Sequence, residues 1–113
     1  MTNEELINEI KSTLEDKFAK EIVMLNISEV STLGDYFIIA TGKNPNQIQA
    51  ISQAVAEYLL KNNIIIKHHE GGYDTGWVLL DYGNIIIHIF DEEARQFYNL
   101  ERIWSDAKVI KPT

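Results

Sequence analysis

Residues 35–45 read Asp-Tyr-Phe-Ile-Ile-Ala-Thr-Gly-Lys-Asn-Pro, and this stretch decides the fold class. The β-branched and aromatic run Tyr36–Thr41 predicts a strand that is apolar on both faces. Asn44 followed by Pro45 predicts a helix start, with the Asn as cap and the Pro at the first helical position. Apolar residues then recur at helical spacing to about Asn63. A buried strand that leads into a helix indicates an α/β domain with a right-handed crossover between parallel strands.

Further elements are predicted on both sides of that unit. Thr2 lies three residues before Glu5, a capping-box spacing, and the apolar stripe that follows predicts a helix over about residues 3–18. Strands are predicted over residues 22–27, 64–70, 77–81 and 84–90. A hairpin turn at Tyr82 and Gly83 joins the last two strands.

The C-terminal region predicts one more helix. Asp91 is its cap, acidic residues fill its first turn, and it runs to about Tyr98. A short turn over 100–106 and a tail over 109–113 complete the chain. The prediction is a single α/β domain over residues 1–113, with a mixed five-stranded sheet and flanking helices.

Composition sets limits on the class of protein. The chain has 113 residues, 45% of them apolar and 24% charged, which suits one soluble domain. It contains no cysteine, which excludes disulfides, thiolate catalysis and cysteine-ligated zinc. No apolar run approaches the roughly 20 residues of a membrane span, and the acidic N-terminus lacks a secretory signal pattern. We therefore expect a cytoplasmic protein without a membrane partner.

The charge balance is acidic. The formal net charge is −7, from 17 acidic and 10 basic residues. Binding to a phosphate backbone needs clustered Lys and Arg, so the balance favours a basic partner over sequence-specific contact with nucleic acid. The alternative is that the acidic residues only keep the protein in solution.

Two patterns invite a metal or nucleotide interpretation. In a strand, His68 and Glu70 share one face while His69 points to the other, so a metal site would need His88 to join from another strand. The alternative is a set of polar residues near a turn. The loop that starts at Gly42 lacks the Walker pattern, and Asp81 has no partner carboxylate for a two-metal transferase. We predict no metal, no cofactor and no catalytic residues.

Aromatic residues concentrate in the last third of the chain: Trp77, Tyr82, Phe90, Phe97, Tyr98 and Trp104. With the charged residues around them they suit a recognition face that has an apolar centre and a charged rim. The alternative is that they close a small core, which we expect for Phe90 and Phe97. Strand alternation places His88 on the same face as Ile86 and Phe90, as a buried or nearly buried residue.

Ordered motifs along the whole chain resemble those of a known family. They are Asp35–Gly42, Gln47, Ala50, Glu70–Gly71, Trp77–Gly83, His88–Phe90, Arg95–Glu101 and Trp104–Ala107. Over about residues 3–107 they are similar to the Iojap-like ribosomal silencing factor family.

The resemblance implies a fold related to nucleotidyltransferases without their catalytic carboxylates, and a homodimer. It also implies binding to the large ribosomal subunit through ribosomal protein fourteen, which blocks association with the small subunit and represses translation when nutrients are short. The residues expected on or beneath the contact surface are Trp77, Asp81, Tyr82, His88, Tyr98, Glu101 and Trp104. Two alternatives remain open: a chaperone for ribosome assembly and a nucleotide-dependent transferase.

Overall fold

Two long helices, one short helix and a mixed sheet make up the part of the chain that the structure describes. The computed structural model describes residues 2–30, 32, 34–98 and 108–109. The helices are α1 (Asn3–Asp16), α2 (Pro45–Lys61) and α3 (Glu92–Tyr98). The strands are β1 (Lys20–Asn26), β2 (Tyr36–Thr41), β3 (His68–Glu70), β4 (Trp77–Asp81), β5 (Ile85–Phe90) and β6 (Lys108–Val109). The predicted single α/β architecture is confirmed.

The sheet is mixed, in the order β3-β4-β5-β2-β1-β6. At its centre β2 and β5 run parallel, with Ile39 opposite His88, and the other pairs are antiparallel. A strand is present at each of the five predicted places, although β3 is shorter than predicted, and β6 adds a sixth strand. The predicted tail is wrong at Val109, which pairs with Leu25 in β6. A two-residue strand carries no alternation pattern, so only its tertiary pairing reveals it.

The helix caps follow the predicted chemistry. The Thr2 side chain accepts a hydrogen bond from the Glu5 N–H at 3.1 Å, and Asn44 Oδ1 accepts one from the Gln47 N–H at 2.8 Å. Asp91 Oδ1 accepts one from the Ala94 N–H at 2.7 Å. Each bond satisfies an amide in the first turn that has no partner within its own helix.

Strand alternation divides the core into two layers. The helix-covered face of the sheet packs against α1 and α2. Its buried strand residues are Met24, Ile38, Ala40, Val78, Leu80, Ile85, Ile87 and Ile89. The opposite face, here called the aromatic face, buries Leu25, Ile27, Phe37, Ile39, Ile86, His88 and Phe90. Among the described residues, α3 is the helix that packs on the aromatic face, through Ala94 and Arg95.

One strand is shorter than expected. The apolar segment at residues 64–67 precedes β3 and is not part of it. Lys67 N–H bonds to the Asp81 carbonyl, whereas the side chains of Ile65 and Ile66 are exposed. Within the described part of the chain, no helix has both the length and the apolar character needed to cross a membrane.

Candidate functional site

Four side chains from three elements form an aromatic cluster: Trp77, His88, Phe90 and Tyr98. Antiparallel pairing sets Trp77 directly opposite Phe90, and their ring centroids lie 5.8 Å apart. Tyr98 reaches the same point from α3, with its ring 5.0 Å from Trp77 and 5.7 Å from Phe90. The sheet register and the docking of α3 therefore bring together three of the predicted contact residues.

His88 forms a hydrogen bond with the edge of the Trp77 indole. Trp77 Nε1–H donates to His88 Nδ1 at 3.2 Å, and the two ring planes are nearly parallel, with an interplanar angle of 14°. His88 is only 4% exposed, and burial lowers its pKa to about 4. Because Nδ1 accepts a bond, the neutral ring carries its proton on Nε2, which has no hydrogen-bond partner among the described residues. The sequence prediction of a buried, hydrogen-bonded His88 is confirmed.

Arg95 fastens α3 to the sheet. Its side chain is buried, and Nη1 donates to Thr41 Oγ1 at 2.9 Å, which joins α3 to the end of β2. Ala94, Arg95 and Tyr98 lie on one side of the helix, at the spacing i, i+1 and i+4. Phe97 points outward and is 80% exposed, so its predicted place in the core is wrong. The spacing of Ala94, Phe97 and Tyr98 at i, i+3 and i+4 groups all three on one helix face, so the sequence pattern does not reveal the exposure of Phe97.

An open cleft of about 300 Å³ adjoins the aromatic cluster. Its lining residues are Thr75, Asp91, Glu93, Ala94, Phe97 and Tyr98. Phe97 and Tyr98 make an edge contact with centroids 5.0 Å apart, and Tyr98 is 40% exposed. The sequence pattern predicts only a helix cap for Asp91, and it does not single out Thr75. The cleft forms where the turn before β4 packs against the start of α3. The sequence pattern does not show this tertiary contact.

The remaining predicted residues lie elsewhere. Asp81 is half-buried, and its Oδ1 accepts a bond from the Gly83 N–H at 2.8 Å, which stabilises the hairpin turn. Tyr82 is buried in the helix-covered core, where burial raises its pKa, so it does not join the aromatic cluster. Glu101 and Trp104 fall outside the described residues.

The metal interpretation gains no support. His68 Nε2 and Glu70 Oε1 lie 2.9 Å apart, so they share a face as expected. Both side chains are more than half exposed. Within the described residues, no group of three or more His, Asp or Glu side chains is placed to hold a metal ion.

The first backbone amides of the loop before α2 form hydrogen bonds within the protein. Gly42 N–H donates to the Phe90 carbonyl at 2.8 Å, and Lys43 N–H donates to Gln47 Oε1. A Cβ at Gly42 would lie 2.7 Å from the Ile48 side chain, so the loop packs tightly on α2. Since the first two amides of the loop already have protein acceptors, they are not available to hold a phosphate in the manner of a P-loop.

Comparison with known proteins finds one family model and several related proteins that match most of the chain. The chain matches the family model described as "RsfS: Ribosomal silencing factor during starvation" over residues 1–113. A ribosomal silencing factor RsfS from Halalkalibacterium halodurans is 35% identical over 111 residues, which cover 98% of this chain and 95% of that protein. A mitochondrial Iojap-related protein of Arabidopsis thaliana is 30% identical over 101 residues, covering 86% of this chain and 55% of that protein.

A solved structure shows the same fold. The crystal structure of a protein from Chromobacterium violaceum superposes with a TM-score of 0.87 at 29% sequence identity. The match covers 100% of this chain and 92% of that one.

Proposed function

The chain belongs to the family of ribosomal silencing factors, and from that premise we propose that it binds the large ribosomal subunit and blocks its association with the small subunit. The single observation that carries the proposal is the family match over residues 1–113. The family named from the sequence motifs is thereby confirmed. We propose that the contact is made through ribosomal protein fourteen, in the cytoplasm, and that it represses translation when nutrients are short.

The surface chemistry supports this mode of action. The chain carries a net charge of −7, which suits a basic ribosomal protein and increases the rate of encounter with it. Exposed aromatic rings, such as Tyr98 and Phe97, belong to the residue types that are enriched at protein interfaces. A factor that acts by steric block needs only to occupy its site, so no reacting group is required.

We propose that the protein is not an enzyme. Among the described residues, Asp81 is engaged in a hairpin turn, and the loop before α2 uses its amides internally. A two-metal transferase needs paired carboxylates that hold both ions. Incubation with nucleoside triphosphates and Mg²⁺ or Mn²⁺ should release no pyrophosphate. Turnover that disappears in Asp81→Ala would support the transferase alternative.

The test of the proposed function is co-sedimentation with purified subunits. The protein should sediment with large subunits and not with small ones, and it should reduce the formation of joined ribosomes in a gradient. Binding to both subunits alike, or to neither, contradicts the proposal. Binding to a free ribosomal protein but not to the mature large subunit would indicate the assembly chaperone instead.

The family resemblance also leads us to propose a homodimer. Sedimentation equilibrium should return twice the mass of the 13.0 kDa chain at micromolar concentration. A mass of one chain at every concentration would contradict this part of the proposal.

A further inference from the structure

The cleft beside the aromatic cluster has a lining that selects the chemistry of its occupant. Two aromatic residues, Phe97 and Tyr98, line the cleft, and two acidic residues, Asp91 and Glu93, are among its other lining residues. Asp91 Oδ1 is used by the Ala94 N–H, and the other carboxylate oxygens of this pair make no hydrogen bond or ion pair within the described residues. The cleft therefore offers hydrogen-bond acceptors that lack donors.

Two hydrogen-bond donors of the same lining are already engaged within the protein. The Thr75 hydroxyl is engaged within its own turn, where it donates to the Gly72 carbonyl at 2.7 Å. The Ala94 N–H is held by Asp91, so the start of α3 does not present that amide to the cleft. A cationic occupant with its own N–H donors therefore complements the two acidic residues better than a neutral or an anionic one.

We propose that this cleft receives an arginine side chain of the protein partner. A guanidinium is planar, so it can stack on the exposed face of an aromatic ring while its N–H groups reach carboxylate oxygens. A lysine ammonium lacks this planar fork, and a nucleic-acid phosphate is repelled by the two carboxylates. This proposal rests on the proposed function, because it names the side chain that the ribosomal partner must present.

The cleft is continuous with the aromatic cluster through Tyr98. That ring contacts Trp77 on one side and lines the cleft on the other. An arginine in the cleft would thus lie at the edge of an apolar contact, where a charged rim is expected around a buried centre. Phe97 is 80% exposed in the free protein, and an occupant that stacks on it would remove this apolar surface from water.

Matched charge variants test the proposal on purified large subunits. Glu93 lines the cleft, whereas the neighbouring exposed Glu92 does not, and both lie in the first turn of α3. Glu93→Lys should weaken binding by about tenfold or more, because it replaces an attraction by a repulsion at contact distance. Glu92→Lys changes the net charge equally and should weaken binding by less than about threefold at physiological salt. Equal losses in the two variants would overturn the proposal.

A second pair tests the aromatic wall. Phe97 and Phe18 are 80% and 79% exposed, but only Phe97 lines the cleft. Phe97→Leu should weaken large-subunit binding by about three- to tenfold, since stacking of a cation on an aromatic face is lost. Phe18→Leu should leave binding unchanged. A loss in Phe18→Leu that matches the loss in Phe97→Leu would contradict the assignment.

A titration without ribosomes separates this proposal from the proposed function. The probe is N-acetyl-arginine amide, followed by the backbone amide resonances of Ala94, Phe97 and Tyr98 in the full chain. These resonances should shift with arginine but not with the citrulline analogue, which has the same shape and no charge. Absence of an arginine-specific shift overturns the cleft assignment, even if large subunits bind. A specific shift in a protein that fails to sediment with large subunits would sustain the cleft and overturn the function.

Discussion

The two faces of the sheet are built from different chemistry. The helix-covered face is almost wholly aliphatic and lies beneath two helices of 14 and 17 residues. The aromatic face buries His88, contacts the buried Arg95, and meets a helix of seven residues. Burying polar groups costs free energy, and within the described part of the chain His88 Nε2 has no hydrogen-bond partner. Under the proposed function, we expect the first face to contribute mainly stability and the second to provide the contact surface.

The largest expected effect comes from the helix-covered face. Ile38 is fully buried in β2 beneath α1 and α2. Ile38→Ala should lower the free energy of unfolding by about 2–5 kcal/mol, because it removes buried methyl groups and leaves a cavity. Denaturant unfolding measures the change. At a temperature where the variant is folded, its affinity for large subunits should equal that of the parent. A loss of affinity in the folded variant would show that the helix-covered face also contributes to binding.

The next effect concerns pH and the aromatic face. Burial lowers the pKa of His88 from 6.5 to about 4 in the folded protein. The unfolded chain therefore binds a proton at His88 first, and stability should fall as pH decreases from about 6.5 to 4. At 1.36 kcal/mol for each unit of pKa, the His88 component is about 3 kcal/mol. The unfolding free energies of the parent and of His88→Phe are measured across this pH range. The parent should lose more stability on acidification than the variant, by the size of the His88 component. Parallel pH profiles would refute the His88 component.

The third effect is on binding. Trp77→Ala and Tyr98→Ala remove rings of the aromatic cluster and should each weaken large-subunit binding by about 2 kcal/mol, mainly through faster dissociation. Tyr58→Ala is a matched control, because Tyr58 packs on the helix-covered side. Circular dichroism must first show a native fold, since Trp77 is partly buried. If the Tyr58 variant lost as much affinity as the Tyr98 variant, the contact surface would not be the aromatic face.

The smallest effect tests how α3 is held. Thr41→Val removes the hydroxyl that accepts a bond from Arg95 Nη1. The free energy of unfolding should fall by about 1–2 kcal/mol, because the bond involves a charged group. Hydrogen exchange should quicken at Arg95 and Tyr98 in α3 before it quickens in β2. Unchanged exchange in α3 would show that other contacts position this helix.

Local patterns predicted most of the backbone. The run Tyr36–Thr41 matches β2 at both ends, and the Asn44 cap and the alternation around His88 are confirmed. These features depend on neighbours in sequence, so the sequence alone specifies them. The same reasoning placed β3 too early and missed β6, since both lie at sheet edges where pairing depends on distant residues.

The candidate site was less predictable for the same physical reason. The bond from Trp77 to His88 requires the register of β4 against β5, and the cleft requires a turn to meet α3. Tyr82 follows Asp81 directly, yet it lies in the helix-covered core because adjacent residues point to opposite sides of the sheet. Residue types therefore predicted a group of aromatic residues, and the tertiary register decided which of them form the aromatic cluster.

The most direct test of the central claim is site-specific photo-crosslinking to purified large subunits. A benzophenone side chain is introduced in place of Phe97, beside the aromatic cluster, or in place of Leu60, on the outer side of α2; both side chains are exposed. If the aromatic face is the contact surface, position 97 should crosslink to a protein of the large subunit and position 60 should not. A crosslink from position 60 alone, or from neither position in a protein that co-sediments, would contradict that assignment.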